Sequence, residues 1–180
     1  MIYTAKELLS NGETEYSIKK KTKDKKLFLV HRGVYSDEPS PYIDEVFIST
    51  KYPKAVFTGL SAFFIYELTD FVPDKYYLAT EQHSFPIRRN DIVQTYQDPS
   101  FFNVGLTEVE INNGKVKIYN LERTLIELIR LKEKYPKDIY YEVLNSFRGI
   151  KHKLDFYKIN EYSKHFRNSA SLISKIKEVI

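Results

Sequence analysis

The chain has 180 residues, with 28 Lys or Arg against 24 Asp or Glu, a formal net charge of +4, and neither Cys nor Trp. Without cysteine there is no disulfide scaffold, thiolate zinc site or thiol nucleophile, and a reducing, cytoplasmic setting is expected. No apolar run approaches the roughly 20 residues of a membrane helix, and Met1-Ile2-Tyr3-Thr4-Ala5-Lys6-Glu7 shows no secretory pattern. With 42% hydrophobic and 15% aromatic residues, a soluble protein with a substantial core and no membrane partner is predicted.

The first element, Thr4 to Ser10, opens with a capping-box pattern, Thr4 followed three residues later by Glu7, and Asn11-Gly12 stops it. A second helix is predicted from about Glu15 to Lys25 with Thr14 as N-cap. Leu27 to Val30, the turn His31-Arg32-Gly33 and Val34-Tyr35 read as a short hairpin. Helix, turn, basic helix and hairpin, in that order, are the parts of a winged helix-turn-helix. The two prolines and small polar residues of Ser36 to Pro41 mark a linker. The predicted organisation is therefore a DNA-binding domain over 1–36, a linker over 37–41 and a second domain over 42–180.

In that second domain Ile43, Val46, Phe47 and Thr50 share a helical stripe, Ala55 to Phe57 is strand-like, and Thr58 is placed to cap a buried helix through Leu68. Tyr76 to Ala79 and Ile92 to Tyr96 are predicted strands. Gly105–Ile111 and Lys115–Tyr119 flank Asn112-Asn113-Gly114, a strong hairpin signal. Asn120 caps a helix over Leu121–Leu131, and three more helices follow near 138–147, 155–166 and 169–179. The expected fold class is α+β: a small, abbreviated winged helix-turn-helix, then a mixed α/β domain with a hairpin-containing sheet and a helical last third.

Charge is distributed unevenly along these elements. Residues 1–40, 41–120 and 121–180 carry net charges of +2, −3 and +5. Between 17 and 34, Lys19, Lys20, Lys21, Lys23, Lys25, Lys26 and Arg32 face only Asp24, a local excess of +6. Lysines that neutralise phosphates release counterions, which supplies most non-specific nucleic-acid affinity. Lys19, Lys20 and Lys23 are the candidates for the exposed face of the second helix. Thr14, Tyr16 and Ser17 are candidates for phosphate hydrogen bonds at its N-terminus, and Arg32 for a contact from the wing tip. No Asn or Gln lies on this helix to read adenine, so selectivity falls to Lys, Arg32 and DNA shape.

Catalytic patterns are thin. His31, His83, His152 and His165 are too dispersed for a local metal site, and no Gly-rich phosphate loop exists. Asp70, Asp74, Glu108 and Glu110 with Lys115 or Lys117 suggest a metal-dependent nuclease as a remote alternative, with spacing wrong for an acid-x-Lys strand. Glu122 and Arg123 are expected to be structural, Arg123 in an internal ion pair. A protein that is not an enzyme, with no metal and no cofactor, is the expectation.

Several ordered segments resemble one family. They are Arg32-Gly-Val-Tyr35, Tyr52-Pro-Lys-Ala-Val-Phe-Thr58 with Ala62, Leu68-Thr69-Asp70, Val72-Pro-Asp-Lys75, Gly105, and Tyr119-Asn-Leu-Glu-Arg-Thr124. In order and spacing they resemble the AbiEi antitoxins of type IV toxin-antitoxin systems, over essentially residues 4–180. The resemblance implies a bifunctional protein. Its N-terminal winged helix would bind promoter DNA and repress its own operon. Its C-terminal domain would counteract a nucleotidyltransferase-like toxin in the same pathway without a stable complex, in abortive infection of phage-infected cells. The resemblance also implies a second positive surface, matched here by Arg148, Lys151, Lys153, Lys158, Lys164 and Arg167. A stand-alone winged-helix regulator with no toxin partner is the alternative. Departures are Lys21-Thr22 where the family has an apolar pair, Lys25 where it has Gly, and the lack of a helix before Thr4.

Overall fold

A computed structural model describes residues 1–31, 33–39, 45–111 and 114–180, the side chain of His31 excepted. The fold is α+β, and the chain divides into two compact units, Met1–Lys54 with Glu108–Lys117, and Ala55–Thr107 with Ile118–Ile180.

In the first unit, β1 (Ile2–Thr4), β2 (Phe28–His31) and β3 (Val34–Ser36) form an antiparallel sheet of order β1-β3-β2. Strand β1 was not predicted. Three residues carry too little alternation, and their partner β3 lies about thirty residues on, with Thr4 opposite Val34. Helix α1 (Ala5–Ser10) has the expected capping box: the Glu7 N–H donates to Thr4 Oγ1 at 3.1 Å and Thr4 N–H to Glu7 Oε2 at 2.7 Å. Helix α2 (Glu15–Lys23) is capped by Thr14 as predicted, but it stops two residues before Lys25. Lys25 turns left-handed at φ 54°. Around it the Lys26 N–H reaches Lys21 O at 2.9 Å and the Lys25 N–H reaches Thr22 O at 3.3 Å, the paired bonds of a Schellman ending. Leu8, Ile18 and Leu27 form the small core between helices and sheet, with Tyr3 and Tyr35 packed on it.

Helix α3 (Glu45–Lys51) packs on β1 and buries Val46, Phe47 and Ile48. That packing moves the division between units to Lys54–Ala55, beyond the predicted 37–41 linker. Ile43 of the predicted stripe, and Ser40 and Pro41 of the linker, lie outside the described residues. So does the predicted Asn112-Asn113 turn, although Gly114 beyond it is described. A Cβ on Gly114 would stand 2.3 Å from Val46 Cγ1, so only glycine lets this hairpin reach α3.

The second unit is built on strands β4 (Val56–Phe57), β5 (Tyr76–Glu81), β6 (Ile92–Gln97), β7 (Leu106–Ile111) and β8 (Gly114–Tyr119), in the order β6-β5-β4-β8-β7. The β7–β8 hairpin lends its distal residues to the first unit. Strand β4 is antiparallel to β5 and parallel to β8, while β5 and β6 are parallel. Gln94 fixes the crossover between β5 and β6: its Oε1 accepts from Ile87 N–H at 2.7 Å and its Nε2 donates to Thr80 Oγ1 at 2.8 Å.

Helix α4 (Gly59–Ile65) starts at Thr58, whose side chain makes no cap bond, and ends three residues before the predicted Leu68. Glu67 at φ 55° ends it, with Leu68 N–H to Phe63 O at 2.8 Å, and the buried Leu68 and Phe63 share one core. The short α5 (Pro99–Phe102), capped by Asp98, had no periodicity to announce it. Helices α6 (Leu121–Arg130), α7 (Lys137–Gly149), α8 (Phe156–Ser163) and α9 (Ser169–Val179) follow the predicted pattern, α8 being shorter at its C-terminal end. Leu125, Ile126, Leu128, Val143, Phe147, Ile159 and Ile176 from these helices make one buried cluster with Phe63.

Candidate nucleic-acid interface

One apolar residue orients the basic helix. Ile18 is buried against Leu8 and Leu27, and at about 3.6 residues per turn Tyr16, Lys20 and Lys23 fall opposite it, with Lys19 at the margin of that face. Tyr16 is 76% exposed, and Lys19, Lys20 and Lys23 are exposed. These three lysines make no ion pair with any described residue. The structure thus brings four of the seven predicted contact residues onto one open face, an aromatic ring among three cations.

Thr14 and Ser17 have other duties. Thr14 Oγ1 accepts from the Ser17 N–H at 3.1 Å, and Ser17 Oγ accepts from the Thr14 N–H at 2.9 Å, a reciprocal cap with Ser in the place usually held by Glu or Gln. The Ser17 hydroxyl also donates to Glu13, which pairs with Lys21. Lys21, followed by Ser17, holds the Glu13 carboxyl below the usual carboxylate range. Sequence reasoning missed Glu13, which lies outside the helix and whose partner is eight residues away. Lys21 belongs to the basic cluster in sequence yet is the one cation of α2 neutralised by a described residue. Thr22, half-buried, donates its hydroxyl to Ile18 O at 2.8 Å. Arg32 lies outside the described residues.

In the second unit the six basic candidates divide. Arg148 Nε donates to Val179 O at 2.7 Å and its Nη1 to Asn145 Oδ1 at 3.0 Å, so it closes the C-terminal end of α9, where a cation also complements the helix dipole. Lys158 lies 3.8 Å from Asp155, and Lys164 pairs with Glu161, a hydrogen bond that raises the lysine above its ordinary value. Lys151, Lys153 and Arg167 are exposed and have no ion pair among the described residues.

The Tyr119-to-Thr124 motif that carries much of the family resemblance is a framework. Tyr119 donates its hydroxyl to Phe102 O at 2.9 Å, Asn120 Oδ1 accepts the Arg123 N–H at 3.0 Å, and Thr124 donates to Tyr119 O at 3.1 Å. Glu122 Oε1 accepts the Asp155 N–H at 3.0 Å, tying α6 to the start of α8. Arg123 is fully buried and paired with Glu127, the internal ion pair expected of it, with a partner the sequence reading did not name. A carboxylate one turn on is too common a pattern to single out.

Among the described residues no group of three or more His, Asp or Glu side chains is placed to hold a metal ion. Lys117, a lysine of the nuclease alternative, donates to Pro53 O at 2.7 Å. Among the described residues no helix is long and apolar enough to cross a membrane. No protein-family model and no curated protein sequence matches the chain.

Proposed function

We propose that this protein is an antitoxin of the AbiEi type. In this reading it counteracts a nucleotidyltransferase-like toxin without catalysis and represses its own operon by binding promoter DNA in the cytoplasm. The observation that carries the DNA-binding half is the outer face of α2, where Tyr16, Lys19, Lys20 and Lys23 stand opposite the buried Ile18. The order strand, helix, helix, hairpin, with a sheet of order β1-β3-β2, supports a winged helix-turn-helix in which α2 lies in the major groove. The fully capped start of α2 favours the role, because a reading helix works only when held rigid.

The antitoxin half rests on the ordered family motifs, whose Tyr119–Thr124 segment has a specific packing use at every polar position. In a gel shift the protein prefers its own promoter over random duplex; equal retardation of both removes the repressor half. Co-expression with the product of the adjacent toxin gene restores growth, and failure to rescue leaves a stand-alone regulator.

A further inference from the structure

The second unit contains a pocket of about 790 Å³ bordered by the start of α4, strands β5 and β6, and the segment that follows α6. That volume lies within the roughly 300–1,000 Å³ of small-molecule sites. Five aromatic residues, Phe71, Tyr77, Tyr96, Phe101 and Tyr135, are among its lining; Tyr77, Phe101 and Tyr135 are half-buried and Tyr96 is half-exposed. Neither the Tyr77 nor the Tyr135 hydroxyl has a hydrogen-bond partner among the described residues.

Two lining cations, Arg130 and Lys134, oppose one lining carboxylate, Asp74. Arg130 belongs to a chain of charges in which Glu127 serves two guanidiniums, pairing with Arg123 at 2.8 Å and with Arg130 at 2.7 Å. Arg123 and Glu127 are buried, so this cluster holds one positive charge more than it has carboxylates. Arg130, which carries the surplus, is exposed and lines the pocket, and a guanidinium fork with N–H groups to spare favours an anion beside it. Arg130 gives only one of its guanidinium hydrogen bonds to a described residue, and Lys134 is exposed with no described partner. Gly59, at φ 53°, leaves this part of the wall bare, since a Cβ there would stand 3.7 Å from the Tyr135 hydroxyl.

We infer that this pocket binds a small molecule made of a planar ring and one anionic group, a nucleoside monophosphate by chemical class. The phosphate sits on Arg130 and Lys134, the base lies among Tyr77, Tyr96, Phe101 and Tyr135, and Asp74 accepts from a ligand N–H or O–H. Phosphate suits the guanidinium fork and the ammonium together, and aromatic stacking tolerates any base. This site is separate from the proposed α2 interface, so its test does not depend on DNA binding.

The test is calorimetric titration of the full chain with AMP, GMP, CMP and UMP, and with adenosine, inorganic phosphate and 4-hydroxybenzoate as controls. At least one mononucleotide binds with Kd tighter than about 1 mM, and adenosine and phosphate bind at least about tenfold more weakly. Lys134→Ala and Tyr96→Ala, both at exposed side chains, each weaken the mononucleotide by roughly tenfold while the thermal unfolding midpoint stays in place. Absence of mononucleotide binding, binding of phosphate or 4-hydroxybenzoate alone, or an affinity unmoved by both variants overturns the assignment.

Discussion

Arg123 holds Glu127 from a site with no solvent exposure, through Nε at 3.0 Å and Nη2 at 2.8 Å. The same guanidinium donates through Nη1 to Phe101 O at 3.0 Å and Val104 O at 3.3 Å, and lies over the rings of Tyr119 and Phe166 at 4.7 and 4.8 Å. One side chain therefore joins α6 to α5, to the turn after it, to the end of β8 and to the loop after α8. A planar, permanently charged fork can serve a carboxylate, two carbonyls and two ring faces at once, and an ammonium cannot.

Replacing Arg123 by Ala is expected to cost about 3–5 kcal/mol, the range for breaking a buried pair and leaving its partners unmatched. Arg123→Lys recovers little of this. The double variant Arg123→Met, Glu127→Leu recovers only part of it: it removes the buried charges and their desolvation cost but leaves the Phe101 and Val104 carbonyls without their donor and Arg130 without its carboxylate. Urea unfolding followed by tyrosine fluorescence measures all three. A single Arg123→Ala variant as stable as wild type would show that the pair holds nothing together.

Two left-handed positions make opposite predictions. Gly105 has φ 75°, and a Cβ there would lie 2.6 Å from Arg123 Cβ and 2.9 Å from Asn120 Oδ1. Gly105→Ala therefore destabilises the second unit by about 2 kcal/mol or more, since strain and collision add. Lys25 occupies the corresponding kind of position at φ 54° with an exposed side chain. Lys25→Gly is expected to stabilise the first unit by about 1 kcal/mol by relieving αL strain at the end of α2. Thermal melts followed by circular dichroism read both signs.

Burial, as the main cause, raises the phenols of Tyr66, Tyr119 and Tyr135 above the ordinary 10.0, that of Tyr66 to about 12. Each holds its proton longer in the folded chain than in the unfolded one. Their contribution is complete below about pH 10 and falls as pH rises through the folded values, where the unfolded chain is already ionised. Absorbance at 295 nm should show these three titrating together with loss of the helical signal. Independent titration near pH 10 in a still-folded chain would contradict the burial.

Glu13 neutralises Lys21 and accepts from Ser17 beside the start of α2. Glu13→Gln removes a negative charge from the edge of the proposed DNA face and frees Lys21. Affinity for duplex DNA is expected to rise several-fold at low salt, with the gain shrinking at high salt. An unchanged affinity would place this end of α2 away from the phosphates.

Much of this architecture is legible locally. Thr4 with Glu7, Thr14 and Asn120 announce three helix starts, because capping acts over three residues and is written in side-chain chemistry. Helix ends are less legible. Lys25 and Glu67 close α2 and α4 in the conformation that usually selects Gly, so composition gives no sign of them. Strand β1 depends on a partner far along the chain, and the partners of Arg123 come from α5, α6 and the loop after α8. Likewise the charge cluster at 17–34 and the exposed face of Lys19, Lys20 and Lys23 are legible in sequence, whereas the partner that neutralises Lys21, Glu13, lies eight residues away outside the helix and is not.

The most direct test of the DNA-binding account is the salt dependence of promoter affinity, measured by fluorescence anisotropy for wild type and for the triple variant Lys19→Gln, Lys20→Gln, Lys23→Gln. Each lysine that neutralises a phosphate contributes roughly 0.9 to the slope of log K against log salt, so the triple variant should lose about 2.7 from that slope. The account predicts this loss together with weaker binding and an unchanged unfolding midpoint. A triple variant that folds normally and keeps both the affinity and the slope of wild type would contradict it.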